Sequence, residues 1–165
     1  MGRFDAGERA WIERLASLRN IVRQDLIGRQ LAEHVTAGMR VLDVGCGQGT
    51  QAIRLARRGC FVLGVDPSRE MLQRLSMDAQ DADVTVESRL GTLEDLSRVV
   101  GERTFDLVCA HGLLMYLPDT RSALELLAAR VTVLSGGRII AEGTPAEVTQ
   151  DAEVIRAYLG DEVVA

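Results

Sequence analysis

One segment constrains this chain more than any other: Val41-Leu42-Asp43-Val44-Gly45-Cys46-Gly47-Gln48-Gly49-Thr50. The short apolar run Met39–Val44, with its β-branched residues, reads as a buried strand, and a helical pattern opens at Gln51. A strand that breaks into glycines and restarts as a helix begins a βαβ unit. Gly45 and Gly47 allow a tight turn and a close approach of main chain to a ligand. A glycine-rich turn alone is often only a turn. Here Asp66 follows the next apolar run, Cys60–Val65, and an acid ending the second strand of a doubly wound sheet accepts hydrogen bonds from a ribose diol. Together the two features point to a nucleoside-type ligand. The spacing is Gly-x-Gly-x-Gly, with Asp43 two residues before Gly45. A carboxylate there repels a pyrophosphate and suits a ligand with a cationic amino group.

The rest of the chain repeats the alternation. Trp11, Leu15, Leu18, Val22 and Leu26 recur at helical spacing within residues 8–35, with a break expected near Ser17–Asn20. After the second strand, Pro67-Ser68 opens a helix to about Asp78, and Asp83–Glu87 alternates as a strand. Leu93–Val100 reads as a short helix, Phe105–Ala110 as a fourth strand, Asp119 or Thr120 to Arg130 as a helix, and Arg138–Glu142 as a fifth strand. Strands separated by helices of this length give an α/β fold, a parallel sheet with helices on both faces.

Composition narrows the chemistry. The 165 residues suit one ordinary core. The net charge of -5 gives no basic footprint for nucleic acid. No apolar run approaches the roughly 20 residues of a membrane span, and charges from Arg3 onward interrupt any leader pattern. The three cysteines are odd in number and lack metal-ligand spacing, which fits a reducing cytoplasm and no metal site. All 19 cationic side chains are arginine. The absence of lysine excludes Schiff-base chemistry on lysine and a phosphate-binding Gly-Lys-Ser/Thr loop, hence no ATP site of that type.

The set Asp43-x-Gly45-x-Gly47-x-Gly49, Gly64-Val65-Asp66-Pro67-Ser68, Met71-Leu72 and Phe105-Asp106-Leu107-Val108 resembles the class I S-adenosylmethionine (SAM)-dependent methyltransferases over residues 10–131. The resemblance implies a Rossmann-like doubly wound sheet, here of five parallel strands without the family's usual last two. It implies SAM as cofactor, with Asp43, Gly45, Cys46 and Gly47 along its methionine part and Asp66 on its ribose. Met71 is placed near the adenine or in plain core. The family's loop after strand three matches Thr92 and Leu93; its usual aspartate is missing, so Glu94 or a main-chain carbonyl takes the adenine contact. The competing reading of Glu94 and Asp95 is a solvated first helical turn.

His111, after strand four, is a wall of the cofactor site, a general base or a structural residue; His34 is read as structural. Val22–Leu31 is similar to the entry helix of the bacterial tRNA methyltransferases that esterify a carboxymethoxy group on wobble uridine. That likeness places Arg23 on the SAM carboxylate, as a planar guanidinium can be; the alternative is a solvated helix face. No catalytic residue is assigned, because in-line methyl transfer relies on position and electrostatics.

The end of the chain departs from that pattern. Arg130–Val148 and Val154–Gly160 resemble the C-terminal end of ABC-transporter ATPases of branched-chain amino-acid importers. That implies a hairpin across Ser135-Gly136-Gly137 and a helix from Pro145 to Leu159, opened by a Thr144/Glu147 capping box. A chimera joined near Arg130–Val131 accounts for both resemblances. The expected organisation is a helical entry segment, 1–38, a SAM-binding unit, 39–142, and a helical tail of foreign type, 143–165. The expected function is methyl transfer to an RNA carboxyl group or a small molecule, without a membrane partner. The alternative is a SAM-binding module with little or no activity. The fifth strand either pairs with Val131–Leu134 or leaves an edge for a homodimer.

Overall fold

The computed structural model describes residues 18–111, 113, 127, 131–135 and 138–159. Helix α1, Leu18–Glu33, leads to β1, Arg40–Val44; α2, Thr50–Arg57; β2, Phe61–Asp66; α3, Arg69–Asp81; β3, Glu87–Leu90; α4, Leu96–Val100; and β4, Leu107–Cys109. These strands form a parallel sheet of order β3-β2-β1-β4, in which Asp43 lies opposite Gly64 and Cys109. The chain then forms β5, Val131–Ser135, and β6, Arg138–Gly143, followed by α5, Pro145–Gln150, and α6, Ala152–Val154, which runs into a π-turn at Ile155–Leu159.

Strand alternation divides the apolar side chains between two faces. Val41, Val62 and Cys109 pack with Val35, Ala52 and Leu55. Leu42, Val44, Leu63 and Val65 pack with Leu96 and Val99 on the other face. The near-continuous apolar runs of β1 and β2 follow from this double coverage.

Several boundaries differ from the sequence expectation. Helix α1 begins at Leu18, within the window Ser17–Asn20 where a break is expected; residues before Leu18, Trp11 and Leu15 among them, lie outside the described part. Strand β3 begins at Glu87 rather than Asp83. Asp83 takes a positive φ of 53°, and the main chain of Asp83 and Val84 donates back to Gln80 and Ala79, so this stretch closes α3 instead of pairing. The helix expected over 119–130 falls outside the described residues except at Leu127.

The fifth parallel strand is a correction. Arg138–Gly143 pairs antiparallel with Val131–Ser135 in a separate two-stranded sheet, in a register shifted between Val133 and Leu134. The parallel sheet therefore has four strands among the described residues. The cause is local: a β-branched Val-Thr-Val run lies within hairpin distance of Arg138–Ala141, so antiparallel pairing satisfies the strand at low loop-closure cost. Of the two outlets considered for this strand, the chain takes the hairpin.

The tail helix is also shorter than expected. Thr144 and Glu147 form the capping box, with the Thr144 amide donating to Glu147 Oε2 at 2.7 Å and the Glu147 amide to Thr144 Oγ1 at 3.3 Å. Asp151, extended at ψ 127°, then interrupts the helix and caps the next turn through Glu153 and Val154. Val133, Val148 and Val154 form a small core of their own, with Ile140 and Ala141 against it.

Val148 is 1% exposed at the centre of that cluster. Val148→Ala is expected to destabilise the hairpin and α5 by about 2 kcal/mol. Hydrogen exchange checks it: amides of β5 and β6 lose protection while those of β1 and β2 keep theirs.

Candidate cofactor site

The carboxyl ends of β1 and β2 come together through one side chain. Asp66 Oδ2 accepts from the Gly47 amide at 2.8 Å, and Oδ1 accepts from the Ser68 amide at 2.9 Å. Ser68 in turn caps α3 by accepting from the Met71 amide. The carboxylate thus fixes both the glycine loop and the start of the next helix. Gly47 meets it in a left-handed conformation, φ 54°, which L side chains rarely adopt. The loop is also stitched to β2 by the Gly45 and Cys46 amides, both donating to the Val65 carbonyl. Gly64 is a glycine for a steric reason, since a Cβ there would meet the Cys46 sulfur at 2.8 Å.

Asp43 lies on the same face of the sheet, 3% exposed. Among the described residues no donor is hydrogen-bonded to its carboxylate. Burial, and then the neighbouring Asp66, push its pKa up to about 7. Burial, Asp43 and Asp66 likewise push the Cys46 thiol up, so it is no thiolate nucleophile. Two acids close together, one without a bonded donor, make a site complementary to a cation.

The second cluster joins α1 to the segment after β4. Arg23 Nη2 lies 3.5 Å from His111 Nε2, a long contact that makes Nε2 an acceptor when the proton sits on Nδ1. Burial, then Arg23, lower the His111 pKa to about 4, so the ring is neutral at physiological pH. Leu113, two residues on, would be 3.2 Å from a Cβ on Gly45. Leu113 therefore covers the first glycine of the loop.

Two sequence-assigned residues sit apart. Leu93 and Glu94 line a cleft of about 340 Å³ with Leu42, Leu96, Phe105 and Val108, on the face of the sheet opposite Asp43. The carboxylate of Glu94 is exposed, and its pKa is lowered first by a hydrogen bond with Thr92. That is the solvated helical-turn reading, with Asp95 likewise bonded to Thr92 and Arg98. The loop still begins beside the site, because the Gly91 amide donates to the Asp66 carbonyl at 3.2 Å. Met71 is 5% exposed in the first turn of α3. His34, exposed after α1, takes no part in either cluster. What the sequence did not reveal is the double use of Asp66 and the arginine–histidine contact; neither leaves a periodic signal.

The profile of the family described as "Methyltransferase domain" matches residues 41–136. The chain belongs to that family. A second profile, described as "Branched-chain amino acid ATP-binding cassette transporter", matches residues 138–164. The "Ubiquinone biosynthesis O-methyltransferase" of Alkalilimnicola ehrlichii is 34% identical over 145 residues, covering 85% of this chain and 57% of that protein. The protein of that name from Hahella chejuensis is 35% identical over 66% of this chain and 44% of its own length. The chain thus spans about half the length of the curated relatives it matches. Among solved structures, a SAM-dependent methyltransferase from Geobacter sulfurreducens in complex with S-adenosyl-L-homocysteine aligns with TM-score 0.52 and 25% identity, over 61% of this chain and 41% of that one. The magnesium protoporphyrin IX methyltransferase of Synechocystis, at 23% identity, shares the fold with TM-score 0.61 over 74% of this chain and 63% of its own. No described helix is long and apolar enough to cross a membrane.

The Asp43 pKa carries a stability consequence. An ordinary aspartate titrates near 3.8, so between about pH 4 and 7 the folded state holds a proton that the unfolded state has lost. Stability of the free protein therefore falls as pH rises through this window. Asp43→Asn removes the effect. Its Tm is expected to match wild type near pH 4 and to exceed it increasingly up to pH 7–8, by the equivalent of a few kcal/mol. A pH-independent difference in thermal melts contradicts the assignment.

Proposed function

We propose that this chain binds SAM at the carboxyl ends of β1 and β2 and serves methyl transfer to a hydroxyl group of a small molecule. The observation that carries the reading is Asp43: a buried carboxylate without a bonded donor beside a second acid, in a glycine loop. Leaving such a charge unpaired is costly, and the cationic amino group of SAM is a partner of the right sign. Asp66 faces the ribose in this reading. A carboxylate offers about four acceptor positions, so bonds to main chain and to a diol are compatible. Arg23 takes the carboxylate end, and neutral His111 and Leu113 form a wall over Gly45. The start of the loop after β3 borders the adenine side through the Gly91–Asp66 link, with Met71 beneath, while Leu93 and Glu94 lie further off, on the Leu42 face.

When bound, SAM supplies a methyl group on a sulfonium sulfur. The protein's own contribution is to orient that group and exclude water from it. A small-molecule acceptor is favoured over tRNA by the names of the similar proteins and by the net charge of -5. The organisation proposed with it is an entry segment, a SAM-binding unit and a tail, with the boundary to the tail at the start of β5 and a cytoplasmic setting.

A specific observation favours a second reading, binding without turnover. Arg138–Gly143 pairs in a hairpin rather than extending the parallel sheet, and this removes a strand from the wall on which an acceptor would rest. Calorimetric titration with SAM tests binding, and methyl transfer to catechol-type phenols, carboxylic acids and tRNA separates the two readings and the acceptor classes.

Two results are expected. SAM affinity rises between pH 6 and 8, because Asp43 must ionise to pair with an ammonium group, and binding in this range releases a proton to the buffer. Asp66→Asn weakens SAM binding about as much as Asp66→Ala, roughly ten- to a hundredfold. Each carboxylate oxygen accepts from a main-chain amide, so an Asn NH₂ must oppose one of those donors. An Asn variant that binds like wild type argues against this role of Asp66.

A further inference from the structure

We propose that Gln51 and Arg54 of α2 are positioning residues for Arg23, holding the amino-terminal half of α1 so that this arginine reaches the carboxylate of the cofactor. The inference rests on the SAM reading above. Both side chains converge on one main-chain atom, the carbonyl of Gln24, the residue next to Arg23. Gln51 Nε2 donates to it at 3.0 Å and to the Gln24 side-chain oxygen at 2.6 Å. Arg54 Nη1 donates to the same carbonyl at 2.7 Å and lies 3.6 Å from Asp25.

Three features of the sequence go against local stability and are explained by this grip. Gly28 interrupts α1, although glycine costs a helix interior up to about 1 kcal/mol relative to alanine. A Cβ at Gly28 would run into the Arg54 guanidinium, so the glycine is what lets Arg54 cross the helix. Gln51 is 4% exposed, and its Oε1 is buried without a partner among the described residues. An apolar side chain would avoid that orphan but would lose both bonds to Gln24. Finally, among the side chains described in this half of α1, apolar burial does little to fix it. Ile21, Val22 and Leu26 are 53%, 51% and 40% exposed, whereas Leu31 and Val35 anchor the other end. Gln51 stands in the first turn of α2, directly after the glycine loop. The grip therefore sets the distance between Arg23 and that loop.

The test compares SAM with decarboxylated SAM by calorimetry. The variants are Gln51→Met and Arg54→Met, which keep chain length without the donors, with Arg54→Lys and Arg23→Leu alongside. The expected result is a loss of about tenfold in SAM affinity for each Met variant and less than twofold for the decarboxylated ligand. Adding Arg23→Leu causes no further loss, and Arg54→Lys, which keeps a donor, stays near wild type. A merely structural role predicts equal losses for both ligands, or losses that add to that of Arg23→Leu; either result overturns the inference. Should Gln51→Met fail to fold by circular dichroism, the Arg54 pair decides alone. Wild type binding neither ligand overturns the SAM reading itself. Wild type binding both equally, with the SAM reading intact, removes the arginine clamp and this inference.

Discussion

The geometry of the site depends on a single carboxylate. Asp66 ends a buried strand and receives one main-chain amide from the glycine loop and another from the turn into α3. Without it, the loop amide of Gly47 would face a buried site unbonded, at a cost of about 1–3 kcal/mol. The conformation of Gly47, the cap of α3 and the approach of Asp43 to Asp66 all follow from this junction. An acid at this position is commonly read only as a ligand contact. Here it is a structural clamp that joins the glycine loop to the start of α3.

That clamp has an electrostatic consequence. Fixing one acid at the end of β2 raises the cost of ionising Asp43 on the neighbouring strand, which is already buried. The free site is therefore strained in its charge while regular in its backbone. In the proposed reading, a cation pairing with Asp43 offsets these costs by attraction, so that part of the affinity for an ammonium-bearing ligand would come at the expense of the stability of the free state.

Much of this was legible in the sequence. The strand–glycine–helix transition and the acid after the second strand, which meet at the Gly47–Asp66 bond, were readable because they depend on short-range geometry. The same holds for the Thr144/Glu147 capping box, where two residues three apart satisfy one another. What was not legible depended on distant partners. Glu87–Leu90 rather than Asp83–Glu87 became β3 because its register is set by Leu63–Asp66 of β2. Glu94 lies exposed in the loop after β3, and Leu93 borders the cleft on the Leu42 face, which a linear pattern does not show. Gly28 was visible as the one glycine in the entry helix, but its reason, an arginine of α2 crossing above it, needs the three-dimensional contact.

The fifth strand shows how local and distant pairing compete. Arg138–Gly143 has the apolar pattern of a buried parallel strand, and pattern alone cannot distinguish a strand of the central sheet from a hairpin arm. Joining the parallel sheet requires closing a long crossover from β4, whereas pairing with Val131–Ser135 requires only a short turn. Chain entropy favours the hairpin unless burial against the sheet outweighs it. The hairpin also carries its own cover: Val133 faces Val148 and Val154 from the helices that follow, so its apolar side is buried by residues close in sequence. A segment able to form sheet, core and cap within some thirty residues does not need the methyltransferase sheet as a template. The two family profiles meet between residues 136 and 138, at the turn of this hairpin, so the two arms of one antiparallel pair come from the two matched segments.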